Sequence, residues 1–181
     1  IISTVVIGQL WMKIYHPEYG LLNMFLSAVG LGNLKREWLG STDTALLSSV
    51  VPVLWQYIGY HMLLMYAGIK SISEDVFEAA KIDGASWLQT SLFVTIPMLK
   101  PILKVCITFA VIGSLKVFDL VHVLTRGGPA HASEVTSTLM VKTIFNGNQY
   151  GYGSAMAVFV IVECFVLYLF IGKLLKGDEM V

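Results

Sequence analysis

Charge is scarce in this sequence. Only 13% of its 181 residues are Asp, Glu, Lys or Arg, while 56% are hydrophobic; soluble domains carry about 25% charged residues. Mean hydropathy is +0.73, and so little polar surface cannot cover a water-soluble core of this size. Neither sign dominates. Twelve basic residues balance twelve acidic ones, so there is no basic excess to bind nucleic acid and no acidic solvating tail. Cysteine is nearly absent. Cys106 and Cys164 both lie inside apolar runs, which excludes a disulfide framework and fits two buried thiols. The four histidines, His16, His61, His122 and His131, are scattered without metal-ligand spacing, so neither a metal nor a cofactor is expected. A phosphate-binding G-x-x-x-x-G-K-[ST] loop is also missing: Gly68-Ile69-Lys70-Ser71 lacks the glycine beside the lysine and reads as a helix end. No Ser/His/Asp arrangement is present, and the chain is not expected to be an enzyme.

What the sequence does have is long apolar runs. Thr44 to Ile69 contains no charge but includes Pro52, Gln56 and His61. A second run, Pro101 to Val121, is interrupted by Lys104, Lys116 and Asp119, and a third, Gly153 to Gly172, holds Glu163 near its middle. The opening run, Ile1 to Met12, is too short for the roughly 20 residues a spanning helix needs. It is therefore expected to be the second half of a helix whose beginning is missing. A signal peptide is disfavoured, because Lys13 is preceded by neither a basic start nor a small-residue cleavage site. The pattern predicts an all-α, polytopic transmembrane helical bundle, one domain over 1–181, with spans near 1–14 (partial), 44–69, 101–121 and 153–173.

The connections differ in character. The segment from His16 to Asp43 contains an apolar patch, Met24 to Leu31, suited to the membrane surface, and then an ordinary polar loop over 33–42. Arg126-Gly127-Gly128-Pro129 is a strong turn signal. Glu134 to Phe145 suits a short helix, with Asn146-Gly147-Asn148 as a turn. Six lysines on the side of residues 71–100 face five basic residues on the other, which leaves the orientation open.

The loop at 71–100 is the most structured. Ser73 is a good N-cap, and Glu74 and Asp75 sit where the helix dipole favours anions; Ser71 with Glu74 also has capping-box spacing. A helix over about 73–83 places Phe77, Ala80 and Gly84 on one face, and Gly84 stops it. A second short helix follows over 86–93, and Pro97 and Pro101 mark the start of the next span. The result is a helix–glycine–helix elbow between two spans. Ala79 and Ala80 let a partner approach closely, and Glu78 offers it a carboxylate. A self-contained, solvated loop is the alternative.

Glu78-Ala79-Ala80, three residues, Gly84, nine residues, then Val94-Thr95-Ile96-Pro97 resembles the signature loop of ABC importer permeases, E-A-A-x3-G-x9-I-x-L-P. Val94 and Ile96 depart from it but keep its apolar character. Flanking segments resemble the carbohydrate (maltose and multiple-sugar) branch, in order along the chain: Tyr19-Gly20-Leu21-Leu22-Asn23, Trp38-Leu39-Gly40, Trp55 with Gly59, Asp83-Gly84-Ala85, Phe118-Asp119, Leu124-Thr125-x-Gly127-Gly128-Pro129 and Tyr150-Gly151. The resemblance implies the type I importer permease fold in a bacterial inner membrane, with about two N-terminal helices and part of a third absent. It makes loop 71–100 cytoplasmic and its first helix a coupling element, with Glu78, Ala79, Ala80, Asp83 and Gly84 meeting a separate ATPase subunit. It also implies a second, different permease subunit, an extracytoplasmic solute-binding protein, surrounding lipid and a sugar cargo.

Polar residues within spans are functional candidates. Gln56 and Tyr60, four apart on one helix face, with Tyr57 and His61 on the adjacent one, suit interhelix packing first and a sugar path second. Lys116 and Asp119, at i and i+3, can neutralise each other on one helix face, or Asp119 can accept hydrogen bonds from sugar hydroxyls. Glu163 can pair across helices or line the path. A glycerol phosphate cargo would call for more path cations than Lys116. A membrane enzyme lacks its constellation here, and an inert membrane scaffold would not need the spaced loop.

Overall fold

The computed structural model describes residues 3–175. Helix is the dominant regular structure, with no strand among them. Ten α-helices follow in order: α1 Thr4–Ile14, α2 Leu21–Ala28, α3 Ala45–Lys70, α4 Glu74–Ile82, α5 Trp87–Thr90, α6 Ile96–Met98, α7 Lys100–Leu115, α8 Asp119–Leu124, α9 Thr136–Phe145 and α10 Tyr150–Leu174. Two stretches are long and apolar enough to cross a membrane, Lys100–Leu124 and Tyr150–Leu174. In each, only 6% of the most apolar window is buried, whereas the core helix of a soluble protein is mostly buried. α3 matches them in length at 26 residues, but Gln56, His61 and its tyrosines dilute its apolar character.

The chain divides into two compact units, 3–57 with 115–162 and 58–114 with 163–175. In the first, α1 packs on α8. Ile7, Leu120 and Leu124 form its core at 3%, 2% and 6% exposure, with Trp11, Leu39 and Val53 against them. An aromatic row extends from there. Trp11 lies 5.2 Å from Tyr15 and 6.2 Å from Trp55 between ring centroids, and Tyr15 lies 6.3 Å from Trp38. α3 begins deeply buried at Ala45, Ser49 and Pro52. The Ser49 hydroxyl donates to the Ala45 carbonyl one turn back at 2.8 Å, which satisfies it inside the helix.

Loop 33–42 is less ordinary than its composition suggests. Asn23, 4% exposed, uses both ends of its amide. Its nitrogen donates to the Pro17 carbonyl at 3.0 Å and the Arg36 carbonyl at 3.1 Å, and its oxygen accepts from the Trp38 indole at 2.9 Å. The Trp38 carbonyl in turn accepts from the Thr44 hydroxyl at 2.9 Å. One side chain of α2 thus ties down the segment on either side of it.

The turn at 125–135 is held by hydroxyls. Ser133 donates to the Gly128 carbonyl at 2.6 Å. The Thr125 and Ser133 hydroxyls are hydrogen-bonded at 2.7 Å, and Thr125 also donates to the Val121 carbonyl at 3.0 Å. The Thr125 oxygen also accepts from the Gly127 amide at 3.2 Å. α9 starts at Thr136, two residues later than the composition suggests, and the Val135 amide donates to the Thr138 hydroxyl at 3.0 Å.

In the second unit, the end of α3 approaches the start of α7 at Gly68. A Cβ there would fall 2.2 Å from Ile102 Cδ1 and 3.0 Å from Leu99 Cδ2, so a larger residue would have to displace those side-chain ends. Leu99, Ile72 and Cys106 are buried within this unit. Tyr60 and Phe109 lie 6.5 Å apart between centroids.

One expectation fails. The helix that begins at Lys100 ends at Leu115, and Lys116 to Phe118 leave it before α8 starts at Asp119. Phe118, with φ −139 and ψ −62, is off the helical path. Lys116 and Asp119 therefore do not share a helix face, and no ion pair joins them among the described residues. Asp119 instead occupies the first turn of α8, where the helix dipole favours its charge.

Replacing Asn23 by Ala strands the Trp38 indole donor and the Pro17 and Arg36 carbonyls, whose bonds to Asn23 are part-buried. Each unmet group costs about 1–3 kcal/mol, so Asn23→Ala is expected to lower the thermal unfolding temperature of the reconstituted protein clearly. Thermal melts of the two forms in the same lipid measure the shift.

Candidate functional site

Loop 71–100 is built as a capped elbow. The Ser73 hydroxyl accepts from the Asp75 amide at 3.4 Å and donates to the Asp75 carboxylate at 3.1 Å. Ser71 is not the cap: its hydroxyl bonds back to the Gly68 carbonyl at 2.7 Å. Glu74 and Asp75 occupy the first turn of α4, and Lys81 the last, both favourable to the helix dipole. At the C-terminus, the Ala85 amide bonds the Ala80 carbonyl at 2.9 Å and the Gly84 amide bonds the Lys81 carbonyl at 3.0 Å. That pair of bonds is a Schellman closure, which requires a left-handed residue between them. Gly84 supplies it at φ +76, with nothing within 4 Å of where a Cβ would sit. The need for glycine here is conformational rather than steric.

The second arm starts at once. Ser86 and Gln89 form a reciprocal capping box, with the Ser86 amide bonding Gln89 Oε1 at 2.8 Å and the Gln89 amide bonding Ser86 Oγ at 3.4 Å. α5 then runs through a π-helical turn over Ser91–Thr95 and through α6 toward α7. Ala80 is buried at 8%, and Glu78, Ala79, Asp83 and Gly84 are exposed. Beside them stand Ile82, 86% exposed, and Trp87, 82% exposed. The surface therefore combines a carboxylate, a small-residue patch and two protruding apolar side chains, a composition suited to docking protein. The sequence reading passed over Ile82 and Trp87; their apolar character next to a glycine turn was the available signal.

The other sequence candidates divide between the units. Gln56 is partly buried and donates to the Thr4 hydroxyl of α1 at 3.3 Å, in line with interhelix packing. Asp119 is exposed in the same unit. Tyr60, 47% exposed, stacks edge-on with His61 at 5.5 Å. Glu163, in the second unit, is partly buried and forms no ion pair among the described residues. A further cluster went unnoticed in the sequence. Glu134, with a side chain 11% exposed, meets Lys142 Nζ at 2.6 Å and also His131 Nδ1.

The sequence profile of the binding-protein-dependent transport system inner membrane component family matches residues 3–176. The chain belongs to this family. Among curated relatives of this inner membrane component, a probable ABC transporter permease protein, YurN, of Bacillus subtilis is 40% identical over 99% of the chain and 61% of the relative. The trehalose/maltose transport system permease protein MalF of Thermococcus litoralis is 37% identical over 95% of the chain and 58% of the relative. The chain thus spans about three-fifths of the length of these curated relatives. A crystal structure of a bacterial ABC transporter importing the acidic polysaccharide alginate shares the fold, with a TM-score of 0.86 at 24% identity over 99% of this chain and 62% of that one.

Two outcomes test this geometry. A β-branched residue at a left-handed position costs about 1–2 kcal/mol, while Asn tolerates it. Gly84→Val should speed limited proteolysis around residues 83–87, and Gly84→Asn should stay near wild type. Burial pushes the Glu134 carboxyl up, but hydrogen bonds and positive charge from Lys142 and His131 outweigh it and hold it below its ordinary value of 4.5. A carboxyl depressed in the folded state stabilises above its unfolded pKa, and that contribution disappears as pH falls through the folded value. Thermal melts of wild type and Glu134→Gln are therefore expected to differ most near neutral pH and to converge in acid.

Proposed function

We propose that this chain is the major part of a permease subunit in an ATP-driven, binding-protein-dependent importer, multi-pass in the inner membrane, and that its cargo is a sugar. The observation that carries the reading is the capped, exposed elbow of α4, Gly84 and α5 between α3 and α7. In this reading α4 docks into a cleft of a separate ATPase subunit, through Glu78, Ala79, Ala80, Asp83 and Gly84. Closure of the ATPase subunits on ATP moves the docked helix. The spans follow between inward- and outward-facing states, an equilibrium shifted by the different affinity of the two states for ATP. The bonds at both ends of α4 suit this role, since a rigid elbow passes on displacement that a floppy loop would absorb.

The sugar assignment is supported by the trehalose/maltose permease of T. litoralis at 37% identity and by a xylose/arabinose import permease of Haloferax volcanii at 33% identity. Tyr60, Asp119 and Glu163 are the proposed path residues; Gln56, bonded to Thr4, is proposed either for the path or for packing. Rings and carboxylates suit the flat faces and hydroxyls of an uncharged sugar. A second, different permease subunit and an extracytoplasmic binding protein complete the assembly.

The test uses the complete subunit, reconstituted with candidate ATPase, partner permease and binding protein. Sugar-stimulated ATP hydrolysis should occur in wild type and vanish in Glu78→Lys, with both assembled to the same extent. Gly84→Asp and Gly84→Asn have similar backbone tolerance but differ in charge at the docking surface, so Asp should lose more stimulation than Asn. Equal stimulation in wild type and Glu78→Lys would sink the coupling assignment. Stimulation by glycerol phosphate and by no sugar would replace the cargo assignment alone.

A further inference from the structure

For a helix facing water, α2 is turned inside out. Leu21, Met24, Phe25 and Ala28 fall at i, i+3, i+4 and i+7 and share one face. The first three are 65%, 56% and 63% exposed. The strongly polar side chain of the helix, Asn23, is directed inward and fully bonded. An amphipathic helix on an aqueous surface has the opposite arrangement. The apolar face also continues beyond the helix through Val29 and Leu31, both exposed.

Beside α2 lies a groove of about 520 Å³, walled by Trp11, Tyr15, Leu22, Phe25, Trp38 and Val51 from α1, α2, the following loop and α3. Tryptophan and tyrosine concentrate at membrane–water boundaries, where one end of the ring system is apolar and the other wet. α1 likewise leaves Val5, Val6 and Leu10 about half exposed, in a protein of an inner-membrane family. Charge along residues 13–43 does not select a headgroup: Lys13, Lys35 and Arg36 are matched by Glu18, Glu37 and Asp43.

We propose that α2 lies in the interfacial zone of the bilayer, with its Leu21–Met24–Phe25 face in lipid, and that a phospholipid acyl chain occupies the groove it forms with α1 and α3. Asn23 makes this possible. By satisfying two carbonyls and an indole internally, it allows the short segment to leave the helical ladder without exposing bare polar groups to lipid. The binding is apolar, so headgroup charge does not govern it.

The test places a photoreactive benzoylphenylalanine at Phe25, and separately at the exposed loop residue Arg126, in the complete protein assembled with its partners in vesicles. Irradiation should give an adduct one phospholipid in mass at position 25 and none at 126, in equal yield from phosphatidylglycerol and phosphatidylcholine vesicles. A bimane at Met24→Cys should lose fluorescence to nitroxide-bearing lipid and not to aqueous iodide. Crosslinking of position 25 to a second permease or to the binding protein would overturn the proposal, as would absence of the lipid adduct or quenching by iodide alone.

Discussion

Every backbone N–H and C=O of this chain that leaves water must find its partner within the protein. Unmet groups cost several kcal/mol in an apolar medium, and that requirement accounts for most of what the described residues do. It explains why their long segments are helices, with no strand among them. It also identifies the points that need special chemistry, which are the places where a helix stops. At those points the chain places side chains and turns that take up the free groups: Ser73 and Ser86 at helix starts, the Schellman pair at Ala80 and Lys81, Asn23 between two connections, and the hydroxyls of Thr125 and Ser133.

The elbow shows how this requirement shapes an exposed loop. A loop satisfied by water can move freely, whereas one closed on its own carbonyls has a single shape. α4 is held at its start by the Ser73 cap and at its end by the left-handed Gly84, and the next helix restarts two residues later at its own capping box. Since the elbow's bonds are internal, its outer surface is free to carry Glu78, Ala79, Ile82 and Trp87. Rigidity and exposure, which usually oppose one another in loops, are combined by moving all the hydrogen bonding to the helix ends.

The same logic separates two kinds of polar residue. Asn23, Ser133 and Thr138 are buried and bonded, and they serve the fold. Asp119 and Glu163 form no ion pair among the described residues, and they remain the candidates for contact with something outside the chain. Gln56 moved toward the first group once its bond to Thr4 was seen.

Much was legible in the sequence because it depends on local order. Low charge and long apolar runs called for membrane helices. Ser73, Glu74, Asp75 and Gly84 marked both ends of α4, since caps and left-handed stops act within a few residues. The spacing of Glu78-Ala79-Ala80, Gly84 and Pro97 pointed to the family. What depended on distant partners was hidden. Spacing alone placed Lys116 and Asp119 on one helix face, but the helix breaks between them. Asn23 could be quoted as part of a motif, but its role needed Pro17, Arg36 and Trp38 brought around it. Glu134 was only the start of a helix until Lys142 and His131 closed on it. Local conformational preference is written residue by residue, so the sequence alone determined the helices, their caps and the elbow. Which polar groups are satisfied within the chain only the tertiary structure decided, because a hydrogen bond is settled by distance in space and not by distance along the chain.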